Sequence, residues 1–133
     1  MNNTIQTAAV HHLRLTVSDV ARARSFYTQL LNFEVAMDLP PGVLLSNGTV
    51  LLGLGPAPEH PTAGDRFDEN RVGLDHLSFS VASYADLEQA VRHLDEQRVP
   101  HGEIKDLGPD FGIYVLVFRD PDNIQLELTA PYA

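Results

Sequence analysis

A strand-like pattern near the start, residues 11–17 (HHLRLTV), returns as residues 76–81 (HLSFSV), and this repeat limits the possible folds more than any other feature. Aligned on histidine, His12, Leu13, Leu15 and Val17 recur as His76, Leu77, Phe79 and Val81 at a constant offset of 64 residues. Both copies alternate apolar and polar residues, so a strand sorts Leu13, Leu15 and Val17 onto one face and His12, Arg14 and Thr16 onto the other. The second copy sorts Leu77, Phe79 and Val81 against His76, Ser78 and Ser80. Each half therefore begins with a strand that carries a histidine on its polar face. The neighbouring His11 is expected to face away from His12, although a one-residue register slip would exchange the two.

The segments after these two strands repeat as well. Val20, Ala23, Phe26, Tyr27, Leu30 and Leu31 have helical spacing, with Ser18 or Asp19 as cap and Asn32 at the left-handed exit. A short strand over 33–37 then ends at Leu39-Pro40-Pro41-Gly42, and two apolar runs around Asn47-Gly48 predict a hairpin over 43–52. In the second half Ser83 caps a helix over 84–97, with Leu87, Ala90, Val91 and Leu94 inside. A short strand or loop reaches Asp106; strands over 113–118 and 124–129 come next, joined by the turn Arg119-Asp120-Pro121-Asp122-Asn123. Both halves read β-α-β-β-β, and internal duplication is the economical explanation. The expected fold is α+β, one domain over 1–133, with a loose tail over 1–8. Module one spans about 9–54, a Pro- and Gly-containing linker about 55–72, and module two about 73–130. Helices should cover the apolar sheet faces, leaving the polar faces to line a cleft.

In the last strand Ile124, Leu126 and Leu128 oppose Gln125, Glu127 and Thr129, which turns Glu127 toward the polar face with the histidines. Two imidazoles and a carboxylate converging on a cleft make a facial site for a divalent ion with open positions. Composition narrows the alternatives. A net charge of −9, with 18 acidic and 9 basic residues and no basic cluster, argues against a nucleic-acid or anionic-membrane partner. No cysteine is present, which removes disulfides and thiol chemistry. No signal pattern or membrane-length apolar run occurs, making a cytoplasmic location the default.

The run from His12 to Asp19, then Ser25-Phe26-Tyr27 and Leu30-Leu31-Asn32-Phe33, resembles the first-module signature of the vicinal oxygen chelate superfamily. The second half matches through residues 76–81 and through Phe118-Arg119-Asp120-Pro121-Asp122-Asn123-Ile124-Gln125-Leu126-Glu127. That superfamily includes glyoxalase I, extradiol dioxygenases, fosfomycin-resistance transferases and bleomycin-resistance proteins. The resemblance implies two tandem modules forming an open cupped mixed sheet with helices outside, often in a homodimer. It also implies one divalent ion (Fe2+, Mn2+, Ni2+ or Zn2+) held by His12, His76 and Glu127. Glyoxalase I adds an acidic ligand on the last strand of module one, but residues 50–54 here contain no carboxylate. Extradiol enzymes carry a tyrosine about where Val117 stands and a further histidine before it, which residues 108–112 do not supply.

The expectation is a metal-dependent enzyme that chelates vicinal oxygens of a small substrate, whether by lyase or isomerase chemistry, dioxygenation or epoxide opening. The alternatives are a protein that sequesters a small molecule without turnover and a catalytically silent dimeric module. Candidate substrate contacts are Arg14, Ser78, Phe111, Tyr114, Arg119 and Gln125, with Tyr114 equally suited to the core and Arg14 to a salt bridge. His60, His93 and His101 read as solvated. The linker acids Glu59, Asp65, Asp68 and Glu69 also read as solvated, or alternatively as part of a substrate lid.

Overall fold

Both halves of the chain fold in the same order, as their shared pattern predicts. The computed structural model describes residues 3–133. The first unit runs β1 (His12–Thr16), α1 (Val20–Leu30), β2 (Glu34–Leu39), β3 (Gly42–Ser46) and β4 (Leu51–Gly55). The second runs β5 (Leu77–Ser80), α2 (Tyr84–Glu96), β6 (Lys105–Asp106), β7 (Ile113–Arg119) and β8 (Gln125–Pro131). Each builds a four-stranded sheet, β1-β4-β3-β2 and β5-β8-β7-β6. First and last strands pair in parallel, and all other neighbours are antiparallel.

The first unit obeys its local signals closely. The Asp19 side chain accepts the Arg22 N–H at 3.0 Å and starts α1; Ser18 instead accepts from the Arg22 guanidinium. Asn32 leaves the helix at φ 63°, in the left-handed region its short polar side chain tolerates. The Asn47-Gly48 signal gives a four-residue loop rather than a two-residue turn. Asn47 Oδ1 accepts the N–H groups of Thr49 and Val50, and so closes the wider loop. Leu15, Leu45, Leu52 and Leu54 form the buried sheet face, which α1 covers with Ala23 and Tyr27. Residues 3–10 are exposed and carry no helix or strand; residues 1 and 2 of the expected tail lie outside the described residues.

In the second unit a reciprocal capping box starts α2. Ser83 Oγ accepts the Asp86 N–H, and the Asp86 carboxylate accepts the Ser83 N–H. Leu87 and Leu94 pack onto a sheet face built from Leu116, Phe118, Leu126 and Leu128. The segment 119–123 is a turn, as expected: Asp120 Oδ1 accepts the N–H groups of Asp122 and Ile124, and Asn123 takes φ 66°. The residues expected to link the modules, 55–72, carry no helix or strand beyond Gly55. The division between the two compact units falls after Pro61, so residues 62–72 sort with the second unit.

His101, expected to be solvated, is instead only 18% exposed. Its Nε2 lies 2.6 Å from Asp95 Oδ1 at the end of α2, and its Nδ1 lies 2.6 Å from the Gly102 carbonyl oxygen. The Asp95 carboxylate, then that carbonyl, raise the His101 pKa above its ordinary 6.5. A raised pKa stabilises the fold fully below the unfolded value and loses that contribution as pH rises through the folded one. Melting temperature should therefore drop as pH climbs from about 6 to about 8, and Asp95→Asn should flatten that drop. An unchanged slope in the variant would remove His101 as its source.

Candidate functional site

The polar face of the second sheet carries a chain of side-chain contacts that begins at its parallel pair of strands, β5 and β8. Ser78 pairs with Glu127 and Ser80 with Thr129, so their side chains share the face opposite Leu126 and Leu128. Across β7 the same face shows Val117 opposite Glu127 and Arg119 opposite Gln125. Just before β5, His76 Nε2 lies 3.8 Å from Glu127 Oε2. Two ligand atoms each about 2.1 Å from one ion can be at most about 4.2 Å apart, so this separation lies within reach of a shared cation.

The surroundings orient both groups. His76 Nδ1 is 2.7 Å from Asp75 Oδ1, which leaves Nε2 as the nitrogen turned toward Glu127. Asp75 is itself held, since Gln125 Nε2 donates to its carboxylate at 2.9 Å and to its carbonyl at 3.0 Å. On the other side Thr129 Oγ1 donates to Glu127 Oε1 at 3.2 Å and meets Ser78 Oγ at 2.5 Å. Glu127 is 15% exposed, so its carboxylate is partly desolvated. An imidazole backed by a carboxylate and facing a second carboxylate suits a divalent ion.

The network continues to the segment that precedes β5. Arg119 donates to Gln125 Oε1 and makes two 2.8 Å bonds to the carboxylate of Glu69. The Phe67 N–H donates to the Asp122 carbonyl, and Asn123 Nδ2 donates to the Phe67 carbonyl. Together residues 66–70, Arg119 and Asn123 line an open hollow of about 460 Å3. Glu69 is therefore a clamp residue rather than the solvated linker acid expected. The Arg119 guanidinium beside it holds its pKa down at about 2. A depressed carboxylate contributes stability above its unfolded value near 4.5 and loses it as pH falls through the folded value. The clamp should hold to roughly pH 3. At neutral pH, Glu69→Gln should speed amide hydrogen exchange of residues 66–70 and leave that of β7 unchanged; equal protection in both proteins would refute the clamp.

The remaining candidates fall elsewhere. Tyr114 pairs with Ala130, on the face of the buried Leu116 and Leu128, and stacks between Tyr84 of α2 and Tyr132. It stands opposite the Glu127 face, as its core reading allowed. Phe111 is 72% exposed in the loop between β6 and β7. His12 belongs to the first unit, where it pairs with Leu51 on the polar face of β1. His11 does not face away from it, because His11 precedes the strand and escapes its alternation. The two Nδ1 atoms lie 2.9 Å apart, one donating and the other accepting. Arg14 pairs with Gly53, the position that matches Glu127 by register. Among the described residues, no group of three or more His, Cys, Asp or Glu side chains is gathered to hold an ion. Asp75 and Glu69 are the contributors that sequence reasoning missed. Asp75 had a usable signal, an acid directly before a candidate ligand; Glu69 had none, its partner lying 50 residues away.

Paired β-α-β-β-β units, each with a histidine at its first strand, define a class, and comparison identifies it. The description Glyoxalase/Bleomycin resistance protein/Dioxygenase superfamily matches residues 9–128. The chain belongs to this superfamily. It is 32% identical to the uncharacterised protein YaeR of Escherichia coli K12, over 90% of this chain and 93% of that one. The crystal structure of a glyoxylase/bleomycin resistance protein/dioxygenase domain from Frankia sp. EAN1pec superposes with TM-score 0.75 at 30% identity, covering 95% and 93% of the two chains. A putative glyoxalase from Bacillus halodurans gives TM-score 0.76 at 25% identity, covering 92% of this chain and 95% of that one. No helix among the described residues is long and apolar enough to cross a membrane.

Proposed function

We propose that this protein is a metal-dependent enzyme that binds one divalent ion through His12, His76 and Glu127 and acts on a small substrate with vicinal oxygens. The observation that carries the reading is the His76–Glu127 pair, with Asp75 behind the imidazole and Thr129 against the carboxylate. The donor set suits Fe2+, Mn2+, Ni2+ or Zn2+, because imidazole and carboxylate serve all four. When bound, such an ion supplies Lewis acidity or redox chemistry toward adjacent substrate oxygens. The chain's own residues do the positioning. Asp75 fixes which ring nitrogen of His76 is presented. Thr129, which also meets Ser78, holds the Glu127 carboxylate in one orientation, and the apolar Val117 beside it limits water on that side.

The test is elemental analysis of the protein as purified, then titration of the EDTA-treated protein with each ion. About one ion per chain, and restored binding on adding back a metal, is the expected result. No stoichiometric metal, and none taken up on titration, ends the proposal. A small-molecule isotherm that persists unchanged in EDTA, without turnover, would replace it with the sequestering alternative.

A further inference from the structure

The corresponding rows of the two sheets carry opposite charge. In the second unit the pair at the middle of the parallel strands is Ser78 with Glu127; in the first it is Arg14 with Gly53. Where module two presents a carboxylate, module one thus presents a glycine facing a guanidinium. One row further on, Thr16 pairs with Gly55. A Cβ built on Gly55 would overlap both terminal nitrogens of Arg14 and lie 2.8 Å from Cζ, and one on Gly53 would touch Arg14 Cγ at 3.6 Å. The side chain therefore extends along β4, with its guanidinium laid over Gly55, and any larger residue there would push it away. The space is required by close approach, not by backbone conformation.

This cation has no acidic partner on the strands nearest it; Glu34, which shares the face, stands on β2 at the far edge of the sheet. Its own row continues through Gly53 to Leu44, and the rows on either side bring His12, Leu51 and Ser46, and Thr16 and Gly55, none of them acidic. Among the described residues Arg14 makes no ion pair or hydrogen bond, while Arg24 and Arg119 are each matched to a carboxylate. Arg66, Arg71, Arg92 and Arg98 also make no ion pair among the described residues, but they stand on loops or on α2; Arg14 alone of these lies on a sheet face, over Gly55. A guanidinium presents a planar fork of donors that fits a carboxylate, phosphate or phosphonate through two parallel bonds.

We infer that Arg14 is an anion anchor, and that the substrate is a small anion carrying a carboxylate, phosphonate or phosphate group. The inference builds on the proposed metal-dependent reading, in which the vicinal oxygens go to the ion and the anionic group to Arg14. A lysine would supply charge without the fork, and a bulkier residue at position 55 would supply the fork in the wrong place.

Binding of 2-phosphoglycolate and of neutral 1,2-ethanediol is measured by calorimetry, on metal-loaded and on EDTA-treated full-length protein. Wild type should bind the phosphate compound in both forms and prefer it to the diol. Arg14→Gln should weaken that binding at least about 10-fold in both forms, while metal affinity, circular dichroism and melting temperature stay unchanged. Arg14→Lys and Gly55→Ala should give intermediate losses. If Gly55→Ala does not fold, the Gln and Lys variants still decide the matter. Failure of wild type to bind the anion, or equal affinity in Arg14→Gln, overturns the anchor. Loss of anion binding in Arg14→Gln from a protein that takes up no metal keeps the anchor and removes the metal reading. Normal metal uptake with an unaltered Arg14→Gln isotherm does the reverse.

Discussion

Phe118→Ala should cost about 3–5 kcal/mol of folding stability, the range for emptying a large buried aromatic site. The ring is 1% exposed and sits on the covered face of β7, beside Leu116 and across from Leu126, under α2. Leu126 is held by strand pairing on both sides and Leu116 by its pairing with Leu128, so the wall of the cavity has little freedom to collapse. The expected result in urea denaturation is a much lower midpoint with an unchanged slope. Phe111→Ala is the matched control. That ring is 72% exposed in a loop, and its removal should change stability by less than about 0.5 kcal/mol. Comparable losses from the two variants would mean that the core does not lie where β7 and α2 meet.

The contrast between these two phenylalanines shows what a sequence makes legible. Phe118 closes an apolar run, 113–118, that reads as a strand though its faces do not alternate; in the next strand alternation does assign faces, and Leu126 and Glu127 stand where it puts them. Asn32 and Asn123 were recognisable as left-handed positions because a short polar side chain after a helix or in a turn has few other uses. Phe111 comes after a glycine-proline stretch with no period, and nothing local says whether it faces ligand or solvent. The partners of the site were less legible still. Asp75 stands outside β5, where alternation gives no direction, yet its carboxylate reaches both His76 and Gln125. His11 likewise precedes β1, and its ring meets that of His12 instead of pointing away. Glu69 looked like one acid among several in a linker. Only the fold brings it to Arg119, which turns a candidate substrate contact into half of a clamp.

Metal affinity should fall in a graded series that separates the groups proposed to touch the ion from the one that orients them. His76→Ala and Glu127→Ala each remove a proposed ligand, and each should weaken binding of Mn2+ or Zn2+ by more than about 100-fold, judged against the 10–100-fold typical of residues that only support a ligand. Asp75→Asn keeps the shape and the bonds from Gln125 but loses the negative charge behind the imidazole. It should fall in that 10–100-fold range, because His76 loses basicity and a fixed tautomer but keeps its Nε2. Ser78→Ala removes only a hydroxyl bonded to Thr129, two steps from the ion, and should change affinity by less than about 3-fold. The order matters more than any single value. Equal affinity in wild type and His76→Ala would dismiss the metal site. An Asp75→Asn protein that matched wild type while His76→Ala lost binding would keep the site but strip Asp75 of its role. In that case the Asp75–His76 contact merely ties the entrance of β5 to β8 through Gln125.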